Sequence, residues 1–194
     1  MPGRTTGVQA VTDLQRERKR LNRLLLVLPQ LFFPLTAIYW LRFMPALRPF
    51  AHTVPVPPPE LLLTCAAILV LPAVLPNAYF RTRLWERGRL YPALGVRAFR
   101  FLAPDGVWVS RRLRRLDASY RLVRDRQTRD AHLAESRRNE AWHLSWGVLG
   151  LVTSGHAWST DQTGWAILVA VFNVVFNVYP VLHQRYKRAR VRVR

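Results

Sequence analysis

A histidine and a carboxylate lie one helical turn apart in this 194-residue chain. His143 follows Glu140 by three residues, so at helical spacing the two side chains share a face and the carboxylate can orient or charge the imidazole. An imidazole assisted in this way is suited to removing the proton of a hydroxyl nucleophile as a general base. The alternative, which residue type alone favours, is a hydrogen-bonded histidine that ties two helices together.

A second polar feature lies on a long uncharged segment near the end of the chain. Polar or helix-modifying residues fall on one stripe, within about 60 degrees of one another at about 100 degrees per residue. They are Asn173, Asn177, Pro180, Gln184 and Arg188. Amides in an apolar segment are costly unless they have partners or a function. The stripe can line a cleft that faces His143, or it can join two helices through amide hydrogen bonds.

The uncharged segment ends in basic residues that can act as an anion site. Arg185 and Arg188 follow the last apolar residues and could hold a carboxylate or a phosphate group. The same residues also fit the ordinary basic flank of a transmembrane helix, so both interpretations stay open.

Four windows without Asp, Glu, Lys or Arg predict the elements that carry these residues. They are residues 24–41, 61–80, 141–160 and 162–184. Each window is long enough to cross a hydrocarbon core of about 30 Å as a helix. We therefore predict an all-α, polytopic membrane protein with four transmembrane helices. In this prediction a membrane domain at 24–194 follows a basic cytoplasmic segment at 1–23.

The distribution of charge predicts the orientation of these helices. Of the 30 Lys and Arg residues, 28 lie before the first window, between the second and the third, or after the fourth. Since such a bias marks the cytoplasmic side, both termini are predicted to be cytoplasmic in a multi-pass protein of the cell membrane. Anionic membrane lipids then explain the net charge of +19, and we predict no nucleic-acid partner.

Residues 81–138 predict a cytoplasmic amphipathic helical segment. After a turn at Asp105 and Gly106, apolar residues recur every three or four positions, while arginines occupy most of the remaining face. The apolar positions are Val109, Leu113, Leu116, Tyr120 and Val123. The segment can cover other helices, or it can present a surface to anionic lipid or to a charged acyl carrier, and both interpretations stay open.

The sequence lacks several common catalytic motifs. It has no Gly-x-Ser-x-Gly elbow, P-loop, dinucleotide fingerprint or His-Glu-x-x-His pattern. The single cysteine, Cys65, cannot form an intrachain disulfide or a Cys-based metal cluster, and no metal or cofactor is predicted. His156 and Asp161 match the His-x4-Asp pattern of glycerolipid acyltransferases, but they fall on the predicted external side, so we do not assign catalysis to them.

Three blocks of sequence carry a family resemblance. The first begins at Pro76–Arg81, continues through Trp85–Tyr91 and ends at Asp105–Gly106. The second is Glu135–His143, and the third, which is the most specific, is Asn177–Arg190. In these blocks the chain resembles the glycosyl-4,4'-diaponeurosporenoate acyltransferase family, small membrane enzymes of carotenoid biosynthesis.

The resemblance implies transfer of a fatty acyl group from a thioester donor to a sugar hydroxyl of a glycosylated carotenoid or similar glycolipid. The family pattern carries over to Glu86, Gly88, Glu135, Arg138, Glu140, His143, Asn177, Gln184, Arg185 and Tyr186. From the chemistry of these residues we expect His143, assisted by Glu140, to remove the hydroxyl proton. Asn177, Gln184 or Arg185 would stabilise the developing oxyanion.

Substrate contacts are expected from a further set of charged and aromatic residues within or next to the same blocks. These are Arg185, Tyr186, Arg188, Arg138, Glu135 and Glu86. The competing interpretation is a non-catalytic membrane subunit, in which the polar stripe serves helix assembly and the basic segment docks a partner. Gly147, Gly150 and Ser154 offer a small-residue face for close helix contact, either within the chain or in a homo-oligomer or larger complex.

Overall fold

The computed structural model describes residues 7–41, 58–87, 89–123 and 125–191. Within these ranges every regular element is helical and no strand occurs, which confirms the predicted all-α class. The elements are α1 (Gly7–Gln30), α2 (Phe32–Leu41), α3 (Pro58–Val74), a 3-10 turn (Leu84–Arg87), α4 (Leu90–Ala93), α5 (Val96–Leu102), α6 (Val107–Leu116), α7 (Arg126–Ser159), α8 (Thr163–Asn173), a π turn (Val174–Val178) and α9 (Tyr179–Val191).

The longest helix, α7, packs against α2, α3, α8 and α9. It begins at a capping box, in which the Asp125 carboxylate accepts a hydrogen bond from the Thr128 N–H at 2.8 Å. The Thr128 hydroxyl in turn accepts one from the Asp125 N–H at 3.0 Å. Because this cap starts the helix well before Ala141, the predicted third window is only the second half of α7. Glu140 and His143 therefore lie in the middle of a long helix that has neighbours on several sides.

Two helices in the described ranges, rather than four, are long and apolar enough to cross a membrane. They run over Thr12–Leu41, which contains the predicted window at 24–41, and over Thr163–Arg190, which contains all of the window at 162–184 except its first residue. The prediction of four transmembrane helices is thus corrected to two candidate spans.

The other two windows fall short for separate physical reasons. In α3 the apolar stretch covers only Leu63–Val74. Pro72 lacks the N–H that would continue the helix, and the residue before Pro76 is pushed out of the helical region, so α3 ends at Val74. In α7 the window at 141–160 includes two histidines and several Ser, Thr and Gly residues, which lower its mean hydropathy although it carries no formal charge.

Apolar side chains cover the outside of several helices while polar ones lie inside. Ile38 of α2, Leu69 of α3 and Ile167 of α8 are 52%, 70% and 57% exposed. Thr36 and Asn173, on α2 and α8, are each 3% exposed. An exposed apolar surface of this extent is typical of a contact with lipid or with a partner protein. The exterior of these helices therefore supports an association with a membrane.

Helix α6 is amphipathic, as predicted, but it is shorter than the pattern suggested. It ends at Leu116, after which the backbone is extended at Asp117. Tyr120 lies in the irregular segment that follows, yet it still packs in a buried cluster with Val109 of α6 and Leu21 of α1. The apolar face of α6 therefore covers α1. Its opposite face is exposed and basic, and it carries Arg111, Arg112, Arg114 and Arg115.

Asp105 ties the turn before α6 to α1. Its carboxylate accepts hydrogen bonds from Arg18 Nε at 2.7 Å, from Arg18 Nη2 at 2.5 Å and from Asn22 Nδ2 at 2.8 Å. Gly106 follows, where a Cβ atom would lie 2.1 Å from the carbonyl oxygen of Arg100. Only glycine allows so close an approach of two backbones, so the predicted turn is also an anchor for the first helix.

His156 joins α7 to α2. The Tyr39 hydroxyl lies 2.5 Å from His156 Nδ1. Nearby, Trp40 Nε1 donates a hydrogen bond to Thr153 Oγ1 at 2.9 Å. These contacts connect the two helices.

Helices α7 and α8 approach closely at two glycines of the predicted small-residue face. Asn173 Nδ2 donates a hydrogen bond to the Gly147 carbonyl at 3.0 Å. A Cβ atom on Gly150 would lie 2.3 Å from Cγ of Asn173. The glycine face is therefore used within the chain at this point, and Asn173 joins helices as the structural interpretation of the stripe predicted.

We expect Gly150→Ala to lower the free energy of unfolding by about 1 to 3 kcal/mol, because the new methyl group overpacks a buried contact. The measurement is thermal unfolding of the purified chain in detergent, followed by circular dichroism. Gly155→Ala is the matched control, since it lies on the same helix with nothing within 4 Å of the added Cβ. It should be neutral or stabilising by up to about 1 kcal/mol. Equal effects of the two substitutions would contradict the close packing.

Candidate functional site

A buried cluster of two carboxylates and two guanidinium groups lies between the 3-10 turn, α7 and α9. Arg185 Nε donates to Glu86 Oε1 at 2.6 Å, and Arg185 Nη1 donates to Glu140 Oε1 at 3.0 Å. Arg188 Nη2 donates to the other oxygen of Glu140. Glu86 and Glu140 are 1% and 0% exposed. We call these four residues the ion-pair network, and its formal charges balance.

The 3-10 turn holds Glu86 in place through both of its oxygens. Oε2 accepts a hydrogen bond from the Arg83 N–H at 2.7 Å, and Oε1 accepts one from the Tyr91 hydroxyl at 2.9 Å. Burial alone would raise the pKa of Glu86, but the hydrogen bonds from Arg83, Arg185 and Tyr91 hold that pKa below its ordinary value. Glu86 is therefore a carboxylate at neutral pH and a poor general acid.

Serine and aromatic side chains complete the surroundings of the two arginines. Arg188 Nη1 donates to Ser136 Oγ at 3.2 Å, and that hydroxyl donates to the carbonyl of Gln184 at 3.2 Å. The guanidinium carbon of Arg185 lies 5.2 Å from the centre of the Tyr79 ring. That of Arg188 lies 5.8 Å from the centre of the Phe80 ring. Both arginines are thus enclosed by partners of this chain, and Arg188 Nε is buried without a hydrogen-bond partner.

His143 lies beside the π turn rather than in the ion-pair network. Its neighbours are the side chain of Asn177 and the backbone of Phe176. Pro180, four residues after Phe176, has no N–H to donate to the Phe176 carbonyl, so the ordinary helical hydrogen bond cannot form there. The imidazole therefore lies next to this irregular part of the helix, beside Asn177 of the polar stripe.

The expected assistance of His143 by Glu140 is not present. Both carboxylate oxygens of Glu140 are engaged by arginines, and no hydrogen bond between Glu140 and His143 occurs in the part of the chain that the structure describes. The helical spacing does place the two residues on neighbouring turns, but the formal charges of Arg185 and Arg188 attract the carboxylate more strongly than a neutral imidazole does. Glu140 therefore joins helices, while His143 pairs with the π turn.

The remaining predicted site residues lie outside the ion-pair network. Gln184 is buried, and its side-chain oxygen has no hydrogen-bond partner. Tyr186 faces α4, where its ring centre lies 5.9 Å from that of Tyr91, and its hydroxyl accepts a hydrogen bond from Arg190 at 2.9 Å. Glu135 and Arg138 lie on the exposed side of α7 and take no part in the ion-pair network.

Two residues of the site were not among the predicted ones. Ser136 is one turn before Glu140, and helical spacing alone places both residues on one face of α7. Tyr91 gave no periodic signal, because an irregular segment separates it from Glu86 and no regular spacing relates the two side chains. No group of three or more His, Cys, Asp or Glu residues that could hold a metal ion occurs among the residues described.

Comparison with known proteins identifies a family. The model of the glycosyl-4,4'-diaponeurosporenoate acyltransferase family matches residues 76–193. This range includes the whole ion-pair network as well as His143 and Asn177, and it confirms the resemblance seen in the three sequence blocks. No curated protein and no solved structure shows a significant match to the chain.

Glu140→Gln should destabilise the protein by about 3 to 5 kcal/mol, because it leaves Arg188, and one side of Arg185, as a buried charge without a counterion. Thermal unfolding in detergent measures the effect. Glu135→Gln, an exposed carboxylate on the same helix, is the matched control and should change stability by less than about 0.5 kcal/mol.

A double-mutant cycle tests whether the effect arises from the pair. If Glu140 neutralises Arg188, the double variant Glu140→Gln/Arg188→Gln should lose less stability than the sum of the two single losses. Additive losses, or a Glu140→Gln variant as stable as the Glu135→Gln control, would show that the buried ion pair does not hold α7 to α9.

Proposed function

The chain belongs to the glycosyl-4,4'-diaponeurosporenoate acyltransferase family, and from this premise we propose a specific reaction for it. The protein transfers a fatty acyl group from a thioester donor to a sugar hydroxyl of a glycosylated carotenoid or a similar glycolipid. The observation that carries the proposal is that the family match covers both the buried ion-pair network and the adjoining His143–Asn177 pair.

A membrane location fits both substrates. The carotenoid and the fatty acyl chain are apolar, and they partition into the same hydrocarbon phase that the exposed apolar faces of α2, α3 and α8 favour. The two candidate spans supply an anchor of sufficient length. The basic residues at the end of α9 favour contact with anionic headgroups, so we place this end of the helix at the membrane surface.

In the proposed reaction His143 acts as the general base. It accepts the proton of the sugar hydroxyl as the hydroxyl oxygen attacks the carbonyl carbon of the thioester. The carbon–sulfur bond then breaks, and the thiolate leaves with the proton from the imidazole. Asn177 Nδ2 uses one N–H to bond Asn173 Oδ1 at 2.9 Å, so its second N–H can donate to the oxyanion.

The ion-pair network has a positioning role in this mechanism. Glu140 lies one turn before His143 on α7, and Arg185 lies two turns after Asn177 on the C-terminal helix. By fixing α7 against α9, the network keeps the imidazole and the amide opposite each other, which a catalytic step requires to within a fraction of an ångström. Glu140 thus acts on catalysis through helix packing and does not assist the imidazole directly.

A non-catalytic membrane subunit remains the second candidate, and one observation favours it. Asn173 uses its amide to join α8 to α7 at Gly147, which is what an assembly role for the polar stripe requires. Such a protein would need the same polar residues for stability but not for the chemistry of a product.

His143→Ala should reduce acyl transfer by about 100-fold or more, because the hydroxyl loses its proton acceptor. The assay uses membranes that contain the variant, a glycosylated carotenoid and a labelled fatty acyl thioester, with mass analysis of the esterified glycoside. Trp142→Phe, a conservative change at a neighbouring residue that is 43% exposed, is the control and should retain activity.

The thermal stability of both variants is measured in parallel. Loss of product by His143→Ala in a protein that unfolds at the wild-type temperature supports the general base. A variant that still forms product removes His143 from the mechanism. Loss of assembly or stability without any change in product chemistry would favour the subunit.

A further inference from the structure

Helix α9 has a second polar face that the ion-pair network does not use. His183 and Lys187 lie one turn apart on it. The His183 side chain is 3% exposed, and neither of its ring nitrogens has a hydrogen-bond partner. Its ring packs against Phe99 of α5, with the two ring centres 5.9 Å apart. A buried imidazole with two unpaired nitrogens is costly, so the polar groups around it need an explanation.

Positive charge surrounds this histidine. Lys187 and Arg100, from α9 and from the last turn of α5, both interact electrostatically with it. His132 of α7 also lies nearby, and burial lowers its pKa to about 4, so it is neutral at pH 7 and adds no charge.

Carboxylates do not balance these cations at close range. Asp105 and Glu135 both interact electrostatically with Lys187, but Arg18 and Asn22 already engage both oxygens of Asp105. Glu135 is exposed. Among the residues that the structure describes, no carboxylate lies within ion-pair distance of Lys187. Lys187 thus differs from Arg185 and Arg188 on the same helix, each of which has a buried carboxylate partner.

An anion from outside the chain would satisfy both features. It would accept hydrogen bonds from the imidazole N–H, the ammonium group and the guanidinium group, and it would neutralise the local excess of positive charge. Two formal positive charges beside an unpartnered imidazole match a phosphate group, which carries up to two negative charges and three terminal oxygens. A fatty carboxylate supplies only one charge and two oxygens.

We propose that His183, Lys187 and Arg100 bind a phosphate group of a phosphorylated acyl donor, between α5, α7 and α9. The identity of the ligand as a donor rests on the proposed acyl-transfer function, whereas the phosphate chemistry rests on the side chains alone. The position at the basic end of α9, on the face next to the one that carries the network, lets a water-soluble donor approach from the aqueous phase while its acyl chain reaches the membrane. A phospholipid headgroup is the other source of the same chemistry.

The test measures binding without reaction. Coenzyme A, which carries phosphates but no acyl group, is titrated calorimetrically into the full chain in a zwitterionic detergent, and pantetheine, which lacks phosphate, is titrated in parallel. Lys187→Gln should weaken coenzyme A binding on the order of tenfold, the loss expected for one charge-assisted hydrogen bond. His183→Phe, which keeps the ring packing but removes both nitrogens, should act in the same direction. Neither variant should change the affinity for pantetheine.

Arg112→Gln on the exposed face of α6 is the matched control, because it removes the same charge away from the site. It should leave coenzyme A affinity within about twofold of the wild type. The proposal is overturned if Lys187→Gln and His183→Phe bind coenzyme A as the wild type does, or if Arg112→Gln weakens binding equally, which would indicate a general charge effect.

Two further arms separate the sources of phosphate and the two proposals. Nanodiscs of phosphatidylglycerol and of phosphatidylcholine replace the detergent, and a Lys187-dependent interaction with phosphatidylglycerol in the absence of coenzyme A binding would overturn the assignment to a donor. Lys187-dependent binding of coenzyme A in a protein without transferase activity would support the phosphate site and sink the acyl-transfer proposal. Transfer activity without any effect of Lys187→Gln on donor binding would support the acyl-transfer proposal and overturn the phosphate site.

Discussion

The buried carboxylate of Glu140 is the interaction on which the packing of the C-terminal helices depends. It is fully buried and has two guanidinium partners, Arg185 and Arg188, both on α9. A carboxylate and a guanidinium each lose hydration worth several kcal/mol when they leave water, so neither is tolerated in an apolar interior without the other. Helices α7 and α9 can therefore pack only in the register that joins these groups. The same requirement brings the 3-10 turn with Glu86 to the remaining side of Arg185.

The π turn adapts the C-terminal helix to that register. Upstream of it, Asn173 must meet the glycine face of α7, and downstream of it the two arginines must meet Glu140. A π turn adds a residue to one turn and changes the angular phase of everything that follows. Pro180 makes this change less costly, because a proline has already removed the helical hydrogen bond to the Phe176 carbonyl. The π turn thus sets the position of the two arginines, and His143 lies beside the same turn.

The sequence predicted the members of the site better than it predicted their partnerships. Glu140 stood out because it lies one helical turn from His143, and Arg185 and Arg188 stood out because they follow the last apolar residues of the chain; neither observation needs knowledge of packing. Their contacts join residues that are 45 to 99 positions apart, so helical spacing along one element cannot reveal them. The spacing of Glu140 and His143 was correct as geometry, but a guanidinium on another helix outcompeted the nearby imidazole. The windows without charge located four apolar regions, yet in α3 prolines ended the helix early and in α7 polar uncharged residues lowered the hydropathy.

The distribution of charge along α9 shows that the chain does not supply a carboxylate partner for every buried cation. The chain has 30 basic residues and 11 acidic ones, so most cations must be neutralised by solvent or by groups from outside. The arginines of α6 meet that need at the surface, where they are exposed. Arg185 and Arg188 meet it with two of the few carboxylates that the chain buries. Lys187 has neither the solvent exposure of the α6 arginines nor a carboxylate partner. It lies between helices, beside a histidine whose ring nitrogens are unpaired. An external anion at that position would neutralise Lys187 on one face of α9, as Glu86 and Glu140 neutralise the arginines on the other face.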